Sequence, residues 1–122
     1  MTDYLTVAEV LAIHGDLIET YGGTHGVRDL GQLESALYRP QTGYYSDILA
    51  EAAALWESLS QNHPFIDGNK RTAFACCRVF LIMNDVELCA TETETIDFLL
   101  PLYDAKEFKY EIIENWLRET CK

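Results

Sequence analysis

Basic residues are scarce in this chain: nine Lys and Arg stand against twenty Asp and Glu in 122 residues, a formal net charge of −11. Non-specific nucleic-acid binding needs a basic face, so no direct nucleic-acid partner is expected. Proline is scarcer still, at three, and nearly half the residues are apolar. That is a globular composition rather than a disordered one. No apolar run reaches the roughly 18 residues that a membrane span requires. The opening MTDYLTVAEVLAIHG has no basic leader and no small-residue cleavage site, so neither a signal peptide nor a membrane partner is expected. The four cysteines, Cys76, Cys77, Cys89 and Cys121, form no C-x-x-C pair. Adjacent Cys76 and Cys77 would diverge on a helix and clasp no metal well. Cysteine used as a small core residue fits a reducing, cytoplasmic setting. No internal repeat, linker or low-complexity tract interrupts the chain, so residues 1–122 are expected to form a single domain with one core.

Helical patterning dominates what is present. TVAEVLAIHGDLIETYGG (6–23) opens with a capping box, Thr6 and Glu9, and stops at a glycine pair. THGVRD reads as a loop. LGQLESALYRP is a short helix with Asp29 as N-cap and Pro40 closing it. PQTGYYSD (40–47) reads as a loop or a short hairpin. Ser46 or Asp47 caps ILAEAAALWESLSQN, whose apolar stripe is 48, 52, 55 and 59. From Ala73 to Met83 only Arg78 is not apolar, which predicts a central, buried helix over 69–84. NDVELCATETE (84–94) turns, with room for one short strand. Two amphipathic helices follow, the first kinked or begun anew at Pro101. Trp56 and Trp116, at helical spacing, read as core. The expected fold is all-α, five to seven helices wrapped around helix 69–84.

Against the acidic background, one cluster stands out. QNHPFIDGNKRTAFACCRVFLIMN (61–84) crowds His63, Asp67, Asn69, Lys70 and Arg71 in front of the buried helix. Gly68 permits a tight turn, and the amides of Asn69, Lys70 and Arg71 would be the unpaired donors of a helix N-terminus, where anions bind. Lys70 and Arg71 oppose the local dipole, at a cost of about 0.3–1 kcal/mol each if exposed. A phosphate gripped by charge-assisted hydrogen bonds would offset it. Asp67 is a hard oxygen donor, and Mg²⁺ beside a phosphate needs only one or two carboxylates. His63, four residues earlier, has the side chain suited to take a proton from an attacking hydroxyl. Phe65 would anchor the loop to the core. Taken singly, each has a blander explanation. A histidine before proline is more often a surface or capping residue, an aspartate a helix cap, a Lys-Arg pair a solvated pair. Together they describe a phosphoryl- or nucleotidyl-transfer site. His14 and His25 read as structural or exposed, and the acidic tract 92–97 as a solvated helix start.

HPFIDGNKRTA closely resembles the Fic/Doc superfamily signature H-x-F-x-[DE]-[GA]-N-x-R, matched by His63, Phe65, Asp67, Gly68, Asn69 and Arg71. YGGTHGVRDLGQLESALYRPQ (21–41) is similar to a stretch of the death-on-curing (Doc) branch. Lys70 replaces the second loop glycine of Fic adenylyltransferases, and Phe74 replaces their later arginine. The resemblance implies a single six-helix Fic/Doc-like bundle with a flap loop, and a type II toxin that phosphorylates a target protein. His63 would be the general base on a Ser or Thr hydroxyl and Asp67 the Mg²⁺ ligand. Gly68, Asn69, Lys70 and Arg71 would grip ATP. By analogy the target is a translation factor such as elongation factor Tu, and the partner is an antitoxin whose disordered C-terminal segment folds onto the site. By position, Tyr44 and Tyr45 in the flap hold the target, or else pack at the edge. Two rivals remain open: AMP transfer, and a non-catalytic antitoxin-binding module that tunes repression. A phosphodiester hydrolase fits less well, since the motif offers one candidate metal carboxylate.

Overall fold

A computed structural model describes all residues, Met1 to Lys122. Six helices follow one another: α1 (Val7–Tyr21), α2 (Leu30–Tyr38), α3 (Ile48–Gln61), α4 (Asn69–Met83), α5 (Glu92–Asp104) and α6 (Tyr110–Thr120). A 3-10 turn, Arg39–Gln41, extends α2. No helix is long and apolar enough to cross a membrane.

Local chemistry sets the helix starts. Thr6 and Glu9 close the expected capping box on α1, and Thr91 with Glu94 closes a second on α5. Asp29 caps α2. Asp47, not Ser46, caps α3 by accepting from the Ala50 N–H at 2.9 Å. Each such cap contributes about 0.5–2 kcal/mol. The Arg118 guanidinium of α6 also grips Asp47, at 3.0 and 3.1 Å, and holds its carboxyl below the usual range. Helix α6 lacks a cap of its own. Glu57 of α3 supplies one, accepting from the Tyr110 N–H at 2.7 Å while its other oxygen pairs with Arg39 at 2.7 Å.

The sequence pattern put α4 at the centre, and the packing shifts that role toward α3. Ten of the fourteen α3 residues are buried, against six of fifteen in α4, where Ile82 is exposed. Four buried alanines, Ala50, Ala52, Ala53 and Ala54, let neighbouring helices approach α3 closely. A long apolar run needs only one face covered when its helix lies on the outside of such a pair. Trp56 packs against Phe74, Phe108 and Trp116, joining α3, α4 and α6 around one core. Cys76 and Cys77 are free and buried within it, as expected.

The structure decides three local expectations. Residues 42–47 form a loop and no hairpin. The strand expected in 84–94 shrinks to an isolated antiparallel bridge between Leu88 and Cys121. Helix α5 runs through Pro101 without starting anew. The amide that proline lacks would have served Asp97, on an exposed face open to solvent.

Candidate active site

The chain leaves α3 at Asn62 and enters α4 at Gly68, and residues 62–68 between them are braced by residues 23–29. The Ile66 N–H donates to the Gly26 carbonyl at 3.0 Å, and the Asp29 N–H to the Pro64 carbonyl at 3.1 Å. Val27 and Phe65 pair as an antiparallel bridge. Phe65 is 1% exposed. Its ring stacks on that of His14, centroids 3.8 Å apart and planes within 5°. His14, buried in α1, brings its Nε2 to 2.8 Å from the Asp67 carbonyl, where an Nε2–H donates. The structural reading of His14 holds, and it is a brace for the candidate loop.

His63 is exposed at the mouth of this loop. Its φ is +48°, in the left-handed region that a side chain bearing a Cβ adopts at a cost. Asp67 accepts from the Thr24 N–H on Oδ2 at 3.0 Å and from the Gly68 N–H on Oδ1 at 2.8 Å. The carboxylate is therefore oriented by two amides and remains exposed, with lone pairs free. No other His, Cys, Asp or Glu joins it in a three-residue metal cluster. Such a lone donor fits Mg²⁺ sharing its shell with phosphate and water, and would not fit an all-protein metal cage.

Asn69 divides its polar groups between the loop and the helix start. Its carboxamide accepts from the Phe65 N–H and donates to the Phe65 carbonyl, each at 2.9 Å, so the side chain locks the loop. What Asn69 leaves toward a ligand is its backbone N–H. Gly68, at φ +75°, starts α4 with no side-chain cap, and the first helical bond runs from the Thr72 N–H to the Gly68 carbonyl. The amides of Asn69, Lys70 and Arg71 thus stay unpaired. The Lys70 ammonium lies 4.5 Å from the centre of the Tyr103 ring, and the Arg71 guanidinium carbon 4.5 Å from that of Tyr21. Burial pushes the Tyr103 phenol up to about 12, so its ring offers Lys70 a neutral face. Every ion pair in the protein lies elsewhere, on His25, Arg39 and Arg118. Two exposed cations without a carboxylate, amid twenty acids, frame three free amides.

Tyr44 and Tyr45 part company. The Arg39 Nε donates to the Tyr45 hydroxyl at 2.6 Å, and the Tyr45 ring packs on Tyr110, so Tyr45 is tied into the bundle. Tyr44 is 82% exposed and touches Tyr45 edge-on. Neither residue's hydrogen bond or ring contact reaches residues 63–71.

Sequence reasoning missed Gly23 and Thr24. The glycine pair was legible as a helix stop, but its service to Asp67 was not. A Cβ on Gly23 would lie 2.8 Å from Asp67 Oδ2 and 3.0 Å from Ile18 Cδ1, on a backbone at φ +122°. Gly23→Ala is expected to break the Thr24–Asp67 bond and cost about 1–3 kcal/mol. A thermal melt and the Thr24 amide resonance would report both effects. An unshifted Thr24 amide would contradict this.

A six-helix bundle in which an exposed histidine precedes a helix start with three unpaired amides has the architecture expected of a Fic-type protein. The Fic/DOC family model matches residues 4–81, and the chain belongs to that family. It is 43% identical over 95 residues to the Toxin Doc of Mycolicibacterium smegmatis (strain ATCC 700084 / mc(2)155), covering 74% of this chain and 71% of that protein. It is also 30% identical over 89 residues to the Protein kinase doc of Escherichia phage P1, covering 70% and 71%.

Proposed function

We propose that the protein is a toxin of the Doc kind that transfers the γ-phosphate of ATP to a Ser or Thr hydroxyl of a target protein. The observation that carries this reading is the start of α4: three unpaired amides flanked by Lys70 and Arg71, both exposed and free of carboxylates. The phosphates of ATP would take those amides and cations, while Asn69 and Phe65 keep the loop in shape. His63 would accept the hydroxyl proton as the oxygen bonds to phosphorus and the bond to ADP breaks. Asp67 would hold Mg²⁺, which when bound neutralises phosphate charge. Lys70, where a second glycine would admit the nucleotide more deeply, supports phosphate rather than AMP as the group moved. The relatives named Toxin Doc and Protein kinase doc support the same reading. A partner antitoxin and a protein target follow from it, within a cytoplasmic setting. Tyr44 is the flap residue left free to meet the target.

Growth on induction tests the biology. Arrest by the wild type, none by His63→Ala, and relief by the neighbouring gene product are expected. Arrest by both forms would remove His63 from the account. Titration calorimetry tests the anion grip. Arg71→Ala is expected to weaken Mg-ATP binding about 10–100-fold, the loss of one or two charged hydrogen bonds. Tyr21→Ala, which removes only the ring beneath the guanidinium, should cost about fivefold or less. Equal binding by Arg71→Ala and wild type would place the nucleotide elsewhere.

A further inference from the structure

We infer that Arg28 is the positioning residue that sets the backbone of His63, an inference that rests on the reading of His63 as the base. The residue falls in the segment THGVRD, which sequence patterning marks only as a loop. In the folded chain it meets three successive carbonyls at the exit of α3. Its Nη2 donates to the Asn62 carbonyl at 2.9 Å, its Nε to the His63 carbonyl at 2.6 Å, and its own N–H to the Pro64 carbonyl at 2.8 Å. It has no carboxylate partner, although the chain carries twenty acids.

The need for such a clamp follows from His63. Its ring makes no hydrogen bond to the protein, so no neighbouring side chain orients it as a base is usually oriented. The backbone sets where the side chain begins, and no hydrogen bond to the protein fixes the ring beyond it. That backbone sits at φ +48°, a strained conformation that persists only where its surroundings impose it. On one side, Pro64 restricts the residue before it. On the other, the guanidinium fork takes two adjacent carbonyls, a geometry that a lysine ammonium does not reproduce. Arg28 touches neither phosphate nor hydroxyl in this account. It acts through the position of His63, and a shift of about 1 Å in a catalytic group costs on the order of 100-fold in rate.

The test compares the full-length wild type, His63→Ala, Arg28→Ala and Arg28→Lys, with γ-labelled Mg-ATP as donor and a soluble bacterial extract as acceptor. Arg28→Ala is expected to lower the rate at saturating ATP about 10–100-fold, with half-saturating ATP unchanged within about twofold. Added guanidinium ion at low millimolar concentration should restore part of the Arg28→Ala rate and none of the His63→Ala rate. Arg28→Lys should fall between the two. Should Arg28→Ala fail to fold, Arg28→Lys carries the comparison, with a thermal melt as control. A second readout needs no turnover: the His63 amide and ring resonances should move in both Arg28 variants, while those of Lys70 and Arg71 stay. Loss of rate in His63→Ala but not in either folded Arg28 variant would overturn the inference and leave the function standing. If His63→Ala transfers label like the wild type, the functional reading fails instead. If nothing transfers label, unmoved His63 resonances in the Arg28 variants overturn the inference as well.

Discussion

Replacement of His63 by alanine is expected to lower label transfer by about 10²–10⁴-fold, the usual contribution of a general base. Mg-ATP binding should be unchanged, because the groups assigned to the phosphates lie at Asn69, Lys70 and Arg71 and the His63 ring bonds to none of them. Stability should move by only about 0.5 kcal/mol or less, since the side chain is exposed and unpartnered. That separation of rate from binding and folding gives the variant its value. A rate within threefold of wild type would remove the histidine from proton transfer, whatever the motif resembles.

Phe65→Ala is expected to have the largest effect on the fold, a loss of about 3–5 kcal/mol. A domain has only about 5–15 kcal/mol to lose. The ring is 1% exposed, stacks on His14, and its residue joins loop 62–68 to both Val27 and Asn69. The melting temperature should fall on the order of 10–20 °C. Transfer should vanish with it below the melt, because the anchor of His63 and Asp67 is gone. Tyr44→Ala is the matched control: its ring is 82% exposed, and its melt should lie within a degree or two of wild type. A Phe65→Ala protein that melts with the wild type would mean that the core does not hold the loop.

Helix type and order were legible because capping residues and apolar spacing are local signals. Thr6, Asp29 and Asp47 announce their helices within four residues. The identity of the most enclosed helix was not, because burial depends on what packs against a face. Alanines in α3 look neutral in a sequence and turn out to mark closest approach. The candidate site was legible where its residues are contiguous, from His63 to Arg71. It was illegible where loop 23–29 supports that stretch across the fold. Arg28, Gly23, Thr24 and His14 act through carbonyls, amides and steric gaps, which leave no residue-type signature. Asn69 shows the converse: a polar side chain in a motif can be spent on the loop and still leave its amide for a ligand.

Transfer from ATP labelled at the γ- or the α-phosphate, to the soluble proteins of a bacterial extract, tests the central claim most directly. Wild type, His63→Ala and Asp67→Asn would be run side by side with Mg²⁺ present. The account predicts γ-label on a discrete protein with the wild type, a trace or none with either variant, and no α-label with any. Transfer of α-label would contradict it by making AMP the group that moves past Lys70. No transfer of either label, with Mg-ATP bound and the neighbouring gene product still captured, would make this fold a binding module and His63 a bystander.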